Sequence, residues 1–272
     1  MSTAIETHYS SDGHVADRIR AWVLASGKVI DQLVPADLAP VDEFHIRGRP
    51  ATIELADRMD LRADSRVLDL GSGLGGPART LAERSGCHVT GIDLTREFCE
   101  AATILSGWVG LGDRVRFVQG DATALPFASA SFDAALTIHA AMNIPAKDRL
   151  YAEAKRVLRP GAIFAIYDVL QGEGGPVVYP VPWAREPATS ALATPAEMRQ
   201  LLGEAGFTLL EEIDSTDACR VWYRDRVAQA ERVAQPVRFQ LFLGDEYAAM
   251  ARNQVQNLTE KRIRIGTYIC RA

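Results

Sequence analysis

A set of residues in the first half of this sequence has the types and spacing to hold a charged, nucleotide-sized ligand. Gly71, Gly73 and Gly76 fit G-x-G-x-x-G directly after the apolar run Arg66 to Leu70. Without Cβ atoms the chain can turn sharply there and a ligand can lie against it, facing the free N–H groups of a helix that opens at Pro77. The spacing alone suits a dinucleotide equally well. Asp69, just before the glycines, is better matched to an ammonium or sulfonium than to a pyrophosphate. Asp93 ends the next apolar run and can accept from both hydroxyls of a ribose. Asp121 follows the third run and can accept from an adenine amino group, an accumulation of negative charge that would serve a dinucleotide poorly. His139 follows the fourth run, and because imidazole titrates near neutrality it is the candidate general base.

These residues need strand ends to carry them, and the hydrophobic pattern supplies the strands. Arg66 to Leu70, His88 to Ile92, Val115 to Gln119, Phe132 to Ile138 and Ala162 to Leu170 read as near-continuous apolar strands, which predicts a parallel sheet covered on both faces. Between them lie helical periods. From Pro77, Ala78, Leu81 and Ala82 face inward and Arg79, Glu83 and Arg84 face water. Thr95 can cap a helix with Phe98, Ala101, Ala102 and Leu105 inward. A helix over Lys147 to Leu158 stops at Arg159-Pro160-Gly161. Upstream, Val15, Ile19, Trp22 and Val23 recur at helical spacing, and Val29 to Val34 suggests a second short helix. Pro35 to Pro50 reads as irregular, and Pro50 opens a helix through about Met59. Downstream, Gln171 to Thr194 breaks the rhythm with glycines and prolines. Thr194-Pro195-Ala196-Glu197 then forms a capping box, and Phe207 to Ile213 is a sixth strand. Thr216 to Lys261 reads as two helical pieces divided near Pro236 and Gly244, and Ile263 to Cys270 alternates as a last strand.

The chain has 272 residues, 47% hydrophobic and 24% charged, so it can bury a substantial core. Its net charge of −5 argues against a nucleic-acid partner held by a basic surface. No apolar run approaches the ~20 residues of a membrane span, and no signal-peptide layout opens the sequence. Cys87, Cys99, Cys219 and Cys270 stand apart with no C-x-x-C pair, which suggests neither zinc nor a disulfide framework and makes the cytoplasm the simplest compartment.

The ordered stretches VLDLGSGLGG, VTGIDL, GDATALPF, SFDAALTIHAAMNI and EAKRVLRPGAIFAIYDV resemble the class I S-adenosylmethionine-dependent methyltransferases over about Val67 to Ile213. Within that family the likeness is to the small-molecule group that includes quinone, sterol and sarcosine or dimethylglycine methyltransferases. It implies an α/β, Rossmann-like, doubly wound sheet of seven strands, mostly parallel with the last antiparallel. An N-terminal helical cap would occupy residues 1–60 and the S-adenosylmethionine-binding core 61–170. A substrate-side loop would follow over 171–194, and the rest of the sheet with a helical lid insertion over 195–272.

The same resemblance implies that Asp69, Gly71 and Gly73 hold the methionine end of the cofactor, Asp93 the ribose, and Leu94, Asp121 and Ala122 the adenine. His139 falls where the family places residues facing the methyl group. His45 and Arg47 lie in a cap segment that would fold over the cofactor, Met142 and Asn143 border the acceptor, and Tyr179 and Trp183 wall its pocket. Trp222 and Tyr223 read as packing residues of the insertion. The expected reaction is methyl transfer to a small-molecule acceptor by in-line displacement, with no metal, nucleic acid or membrane involved; a homodimer is compatible with the sequence. The alternatives are a nicotinamide-dependent (NAD or NADP) oxidoreductase and a non-catalytic S-adenosylmethionine-binding module.

Overall fold

The computed structural model describes residues 15–232 and 243–272. Among the described residues three helices precede the sheet: α1 (Val15–Ala25), α2 (Pro35–Asp42) and α3 (Arg49–Ala56). The core then alternates as β1 (Arg66–Leu70), α4 (Gly76–Ser85), β2 (His88–Asp93), α5 (Arg96–Trp108), β3 (Val115–Gln119), β4 (Phe132–Ile138), α6 (Lys147–Val157) and β5 (Leu158–Gln171). The remainder is α7 (Pro195–Glu204), β6 (Thr208–Asp214), α8 (Thr216–Arg232), α9 (Tyr247–Thr259) and β7 (Ile263–Arg271). The strands form one sheet in the order β3-β2-β1-β4-β5-β7-β6. Pairings among β1 to β5 are parallel, and β7 runs antiparallel to both β5 and β6.

Alternate strand residues feed two cores. Val67, Val89, Leu136, Ala165 and Ile265 pack with α3, α4 and the α8–α9 pair on one face, whereas Leu68, Ile92, Ala135, Phe164 and Tyr268 pack with α6 and α7 on the other. A third cluster joins α1 to α5 through Ile19, Val23, Leu38, Phe98 and Leu105. β7 is buried on both faces over Ile265 to Cys270 because it lies between β5 and β6, while β6 is the exposed edge.

Four expectations need correction. Val29 to Val34 holds only a short 3-10 turn, Ile30–Gln32, and the helix lies instead at Pro35–Asp42. Pro35 sits in that helix's first turn, where its missing N–H costs nothing, and the Asp37 carboxylate accepts from the Val34 N–H at 3.0 Å. Arg79 does not face water; it is fully buried. Arg159-Pro160-Gly161 does not separate helix from strand, because β5 already begins at Leu158, which pairs with Phe132 across a register irregularity. Thr95 occupies the N-cap position of α5 but makes no side-chain capping bond. Thr194 does, accepting from the Glu197 N–H in a reciprocal capping box. The expected division of the insertion near Pro236 lies outside the described residues.

Candidate active site

The sheet order reverses between β1 and β4, since β2 and β3 lie to one side and β5 to the other. Connections leaving β1 and β4 therefore diverge, and a crevice opens at their carboxyl ends. A cavity lies there, lined by the Gly71-Ser72-Gly73-Leu74 turn, the strand ends at Asp93 and Asp121, and residues 138–140 at the end of β4.

The turn is held by backbone. Gly71 and Ser72 both donate N–H bonds to the Ile92 carbonyl, at 2.9 and 3.1 Å. Gly71 has φ +76°, and a Cβ on it would lie 2.3 Å from the Ala140 Cβ, so the turn needs glycine both for its conformation and for the approach of the β4 connection. Gly76 serves another purpose: a Cβ there would meet the Asp42 carbonyl at 2.4 Å, so this glycine lets the end of α2 settle on the start of α4. The Asp93 carboxylate accepts from the Gly73 N–H at 2.8 Å and the Thr95 N–H at 2.9 Å. An ionised carboxylate offers about four lone-pair sites, so Asp93 braces the turn and keeps capacity for a ligand. Asp121 Oδ1 accepts from the N–H and hydroxyl of Thr123, each at 2.8 Å.

Behind the turn lies a buried charged layer. Asp69 is 1% exposed, and its Oδ2 has no hydrogen-bond partner. Burial, with Glu43 and Asp93 nearby, pushes its carboxyl up to about 8. Asp42 is pushed up to about 6, chiefly by burial and against the pull of Arg79. Arg79 Nη2 donates to Asp42 Oδ2 at 2.7 Å and to the Leu74 carbonyl, while Nη1 reaches the Ala102 carbonyl at 3.1 Å and Ser106 Oγ at 2.9 Å. One guanidinium thus fastens the cap, α4 and α5 together. Glu43 accepts from the hydroxyls of Thr52 at 2.6 Å and Thr80 at 2.7 Å, which ties the cap to α3 and α4.

The opposite wall is aromatic. His139 adopts φ +49°, unusual for a residue with a side chain, and its N–H donates to the Tyr167 carbonyl at 2.8 Å. Its ring stacks on Tyr167 at 4.9 Å between centroids and meets the His45 ring edge-on at 5.9 Å. His139 Nε2 is buried with no partner, and burial, with His45 beside it, holds the imidazole well below its usual range. His45 is lowered to about 4 by burial; its Nε2 lies 3.1 Å from the Gly48 carbonyl and 3.2 Å from Thr52 Oγ1. Since Thr52 gives its proton to Glu43, the network assigns the His45 hydrogen to Nε2. Tyr167 Oη donates to the Ile46 carbonyl at 3.3 Å and lies 3.2 Å from Cys219 Sγ, joining cap, sheet and α8.

Of the residues singled out from sequence, Gly71, Gly73, Asp93, Leu94, Asp121, Ala122, His45, His139 and Asn143 line this cavity, and Asp69 lies beneath it. Met142, Tyr179 and Trp183 do not line it. Met142 is a core residue whose carbonyl accepts from the Ala191 N–H at 2.7 Å. Trp183 is buried, its Nε1 donating to Ser190 Oγ at 3.0 Å. Tyr179 packs against the core in a segment that Asn253 and Asn257 bind to α9 through Pro180 and Val178. Asn143 Nδ2 donates to the carbonyls of Trp183 and Thr189, both at 2.8 Å, so it also pins this loop. Arg47 pairs with Glu54 rather than entering the cavity. Trp222 and Tyr223 pack against the core. Asp42, Glu43, Arg79 and Tyr167 were not singled out for the site. The signal available for them was two adjacent carboxylates opening the stretch Asp42-Glu43-Phe44-His45.

Comparison with known proteins agrees with this architecture. Residues 68–166 match the family model described as a methyltransferase domain. Sterol 24-C-methyltransferase ERG6B of Gibberella zeae is 40% identical over 116 residues, 43% of this chain and 30% of that protein. Methyltransferase GfsG of Streptomyces halstedii is 38% identical over 134 residues, 49% of this chain and 48% of that one. The chain thus spans less than half the length of these relatives. Among solved structures, the 4+2 cyclase SpnF is similar with TM-score 0.67 and 26% identity, over 82% of this chain and 80% of that one. Phosphoethanolamine N-methyltransferase 2 of Haemonchus contortus shares the fold with TM-score 0.73 at 19% identity, over 88% of this chain and 57% of that one. Through residues 68–166, and in the order of its sheet, the chain is similar to the class I S-adenosylmethionine-dependent methyltransferases.

Proposed function

We propose that this protein transfers the methyl group of S-adenosylmethionine to a small-molecule acceptor. The observation that carries the reading is the pairing of a glycine turn whose Gly71 leaves no room for a Cβ with carboxylates behind and beside it, two of which keep buried oxygens without partners, Asp42 Oδ1 and Asp69 Oδ2. Those orphaned oxygens fit a cationic ligand. In this reading Asp69, Gly71 and Gly73 hold the methionine end, Asp93 the ribose, and Leu94, Asp121 and Ala122 the adenine. When bound, the cofactor supplies an electrophilic methyl on a sulfonium. The chain's own part is to align the acceptor, exclude water and receive a proton, since charge in such a displacement is dispersed rather than concentrated. His139 Nε2 is the atom we assign to the proton.

The likeness to SpnF favours one second reading, a cyclase on this fold, and the two differ in whether a methyl is lost. Calorimetric titration with S-adenosylmethionine, S-adenosylhomocysteine, NAD and NADP tests the cofactor; binding of the two adenosyl sulfur compounds alone is expected, and binding of a dinucleotide instead would refute it. Label transfer from methyl-labelled cofactor to an acceptor then separates methyl transfer from cyclisation and from mere cofactor binding. The four cysteines are all free and buried, which suits the reducing cytoplasm we assign to the protein. Among the described residues no helix is long and apolar enough to cross a membrane.

A further inference from the structure

We infer that the acceptor is an uncharged aromatic compound methylated on an acidic hydroxyl of phenolic character, an assignment that rests on the reading of the site as a methyltransferase. The acceptor end of the cavity is walled by Phe44, His45, Ile138, His139 and Ile144, a surface of rings and branched aliphatic groups. Such walls accept a flat apolar body. Every charged side chain among the described lining residues is a carboxylate: Asp42, Asp93 and Asp121. Arg79, which pairs with Asp42 beside the cavity, is fully enclosed, and its Nη1 and Nη2 are spent on Asp42, Leu74, Ala102 and Ser106. An acceptor bearing a carboxylate or phosphate would therefore find no Lys or Arg among the described lining residues to pair with it. A basic amine would be held there as its cation, with no lone pair for displacement.

The two imidazoles select further. His45 has its Nε2 committed to Gly48 and Thr52, whereas His139 Nε2 is buried and unpartnered, so a polar hydrogen of the acceptor is what the wall lacks. An uncharged hydroxyl supplies it. The His139 imidazole, kept neutral by burial and by His45 5.9 Å away, is a weak base. A phenolic hydroxyl near pKa ~10 lies within its reach, whereas an alcohol as weakly acidic as water, ~15.7, is several pK units further uphill. In the balanced step the hydroxyl proton passes to His139 Nε2 as the acceptor oxygen bonds the methyl carbon. The carbon–sulfur bond breaks with its electron pair going to sulfur, giving a methyl ether, a neutral thioether and a proton later lost to water.

The test uses four probes with one bicyclic body: 2-naphthol, 2-naphthylmethanol, 2-naphthoate and 2-naphthylmethylamine. Each is titrated into the full chain loaded with S-adenosylhomocysteine and then offered to the chain with labelled S-adenosylmethionine. The expected result is that 2-naphthol binds at least tenfold more tightly than 2-naphthoate, gives a methyl ether at least a hundredfold faster than 2-naphthylmethanol, and outpaces any methylation of the amine. In His139→Asn, chosen because Asn tolerates positive φ, ether formation should fall about a hundredfold while 2-naphthol affinity falls by no more than about tenfold, the scale of one lost hydrogen bond. Equal or tighter binding of 2-naphthoate, preferred methylation of the alcohol or amine, failure of 2-naphthol to bind, or its binding without ether formation would each overturn the inference. Failure of S-adenosylhomocysteine to bind at all would instead remove the underlying methyltransferase reading.

Discussion

If Asp69 must ionise to hold the ammonium of the cofactor, binding should be strongly pH-dependent, and the structure sets the window. In the free chain the Asp69 carboxyl lies at about 8, raised by burial and then by Glu43 and Asp93, with Arg79 the opposing influence. Only the ionised fraction is ready to bind a cation, and that fraction falls about tenfold for each pH unit below the folded pKa. Apparent affinity for S-adenosylmethionine should therefore rise about twentyfold from pH 6 to pH 7.5 and level off above 8. Removing the charge with Asp69→Asn should flatten that rise and cost about 1.5–3 kcal/mol where the native carboxylate is ionised. At pH 6 the native site carries a penalty of about 2.7 kcal/mol for deprotonation, so the two proteins should converge there. Calorimetry at four pH values, in buffers of differing ionisation enthalpy, reads both the affinity and the proton released. Parallel curves for the two proteins, or no proton release near pH 7, would refute the assignment of Asp69 to the cofactor's cation.

The same group predicts the stability of the free chain. A carboxyl with pKa near 3.8 unfolded and about 8 folded leaves the native state holding more protons between those values, so stability should fall with rising pH by up to about 1.4 kcal/mol per unit and be relieved in Asp69→Asn; denaturant melts at pH 6 and 8 check the sign. Arg79→Met leaves Asp42 buried without its partner and should destabilise by about 3–5 kcal/mol in urea unfolding. Gly71→Ala, with its Cβ driven against Ala140 at positive φ, should weaken cofactor binding at least about tenfold, since a left-handed alanine alone costs about 1–2 kcal/mol. Trp183→Ala should cost about 3–5 kcal/mol of stability yet leave cofactor affinity near native, which fluorescence-monitored unfolding and titration distinguish.

What the sequence disclosed, and what it withheld, follows from the range of the interactions involved. Strands β1, β3 and β4 begin and end where the apolar runs do because each is bounded by glycine, aspartate or other turn residues within a few positions. The positions at their ends that line the cavity are legible for the same reason: a carboxyl edge is a local feature once the strand is known. Arg79 reads as a solvated helix residue because nothing near it in sequence announces Asp42, 37 residues away, which makes its burial tolerable. The end of α2 misleads in a similar way. Pro35 and Pro40 look like breakers, while the glycine at 76 that lets this helix seat against α4 lies in another motif altogether. Trp183 was expected in a pocket wall because an aromatic residue in a long loop suits either wall or anchor. Its partner Ser190 and the Asn143 amide that accompanies it decide for the anchor, and those contacts exist only after folding.

The distribution of charge in the cavity bears on turnover as well as on binding. In the reading proposed above, methyl transfer removes the sulfonium charge and leaves the ammonium, so the carboxylates at Asp42, Asp69 and Asp93 would interact more strongly with the cofactor before reaction than after it. A unit charge about 6 Å from a carboxylate in a medium of effective dielectric near 20 is worth about 3 kcal/mol, which sets the scale available. S-adenosylmethionine should accordingly bind more tightly than S-adenosylhomocysteine, by about tenfold or more at pH 7.5, and exchange of the spent cofactor is favoured without a dedicated release step. Asp42→Asn should narrow that preference while keeping the hydrogen-bonded contact to Arg79. If the two cofactor forms bind equally at every pH, the carboxylates act on the ammonium alone, and the aromatic wall around His139 must then account for discrimination at sulfur.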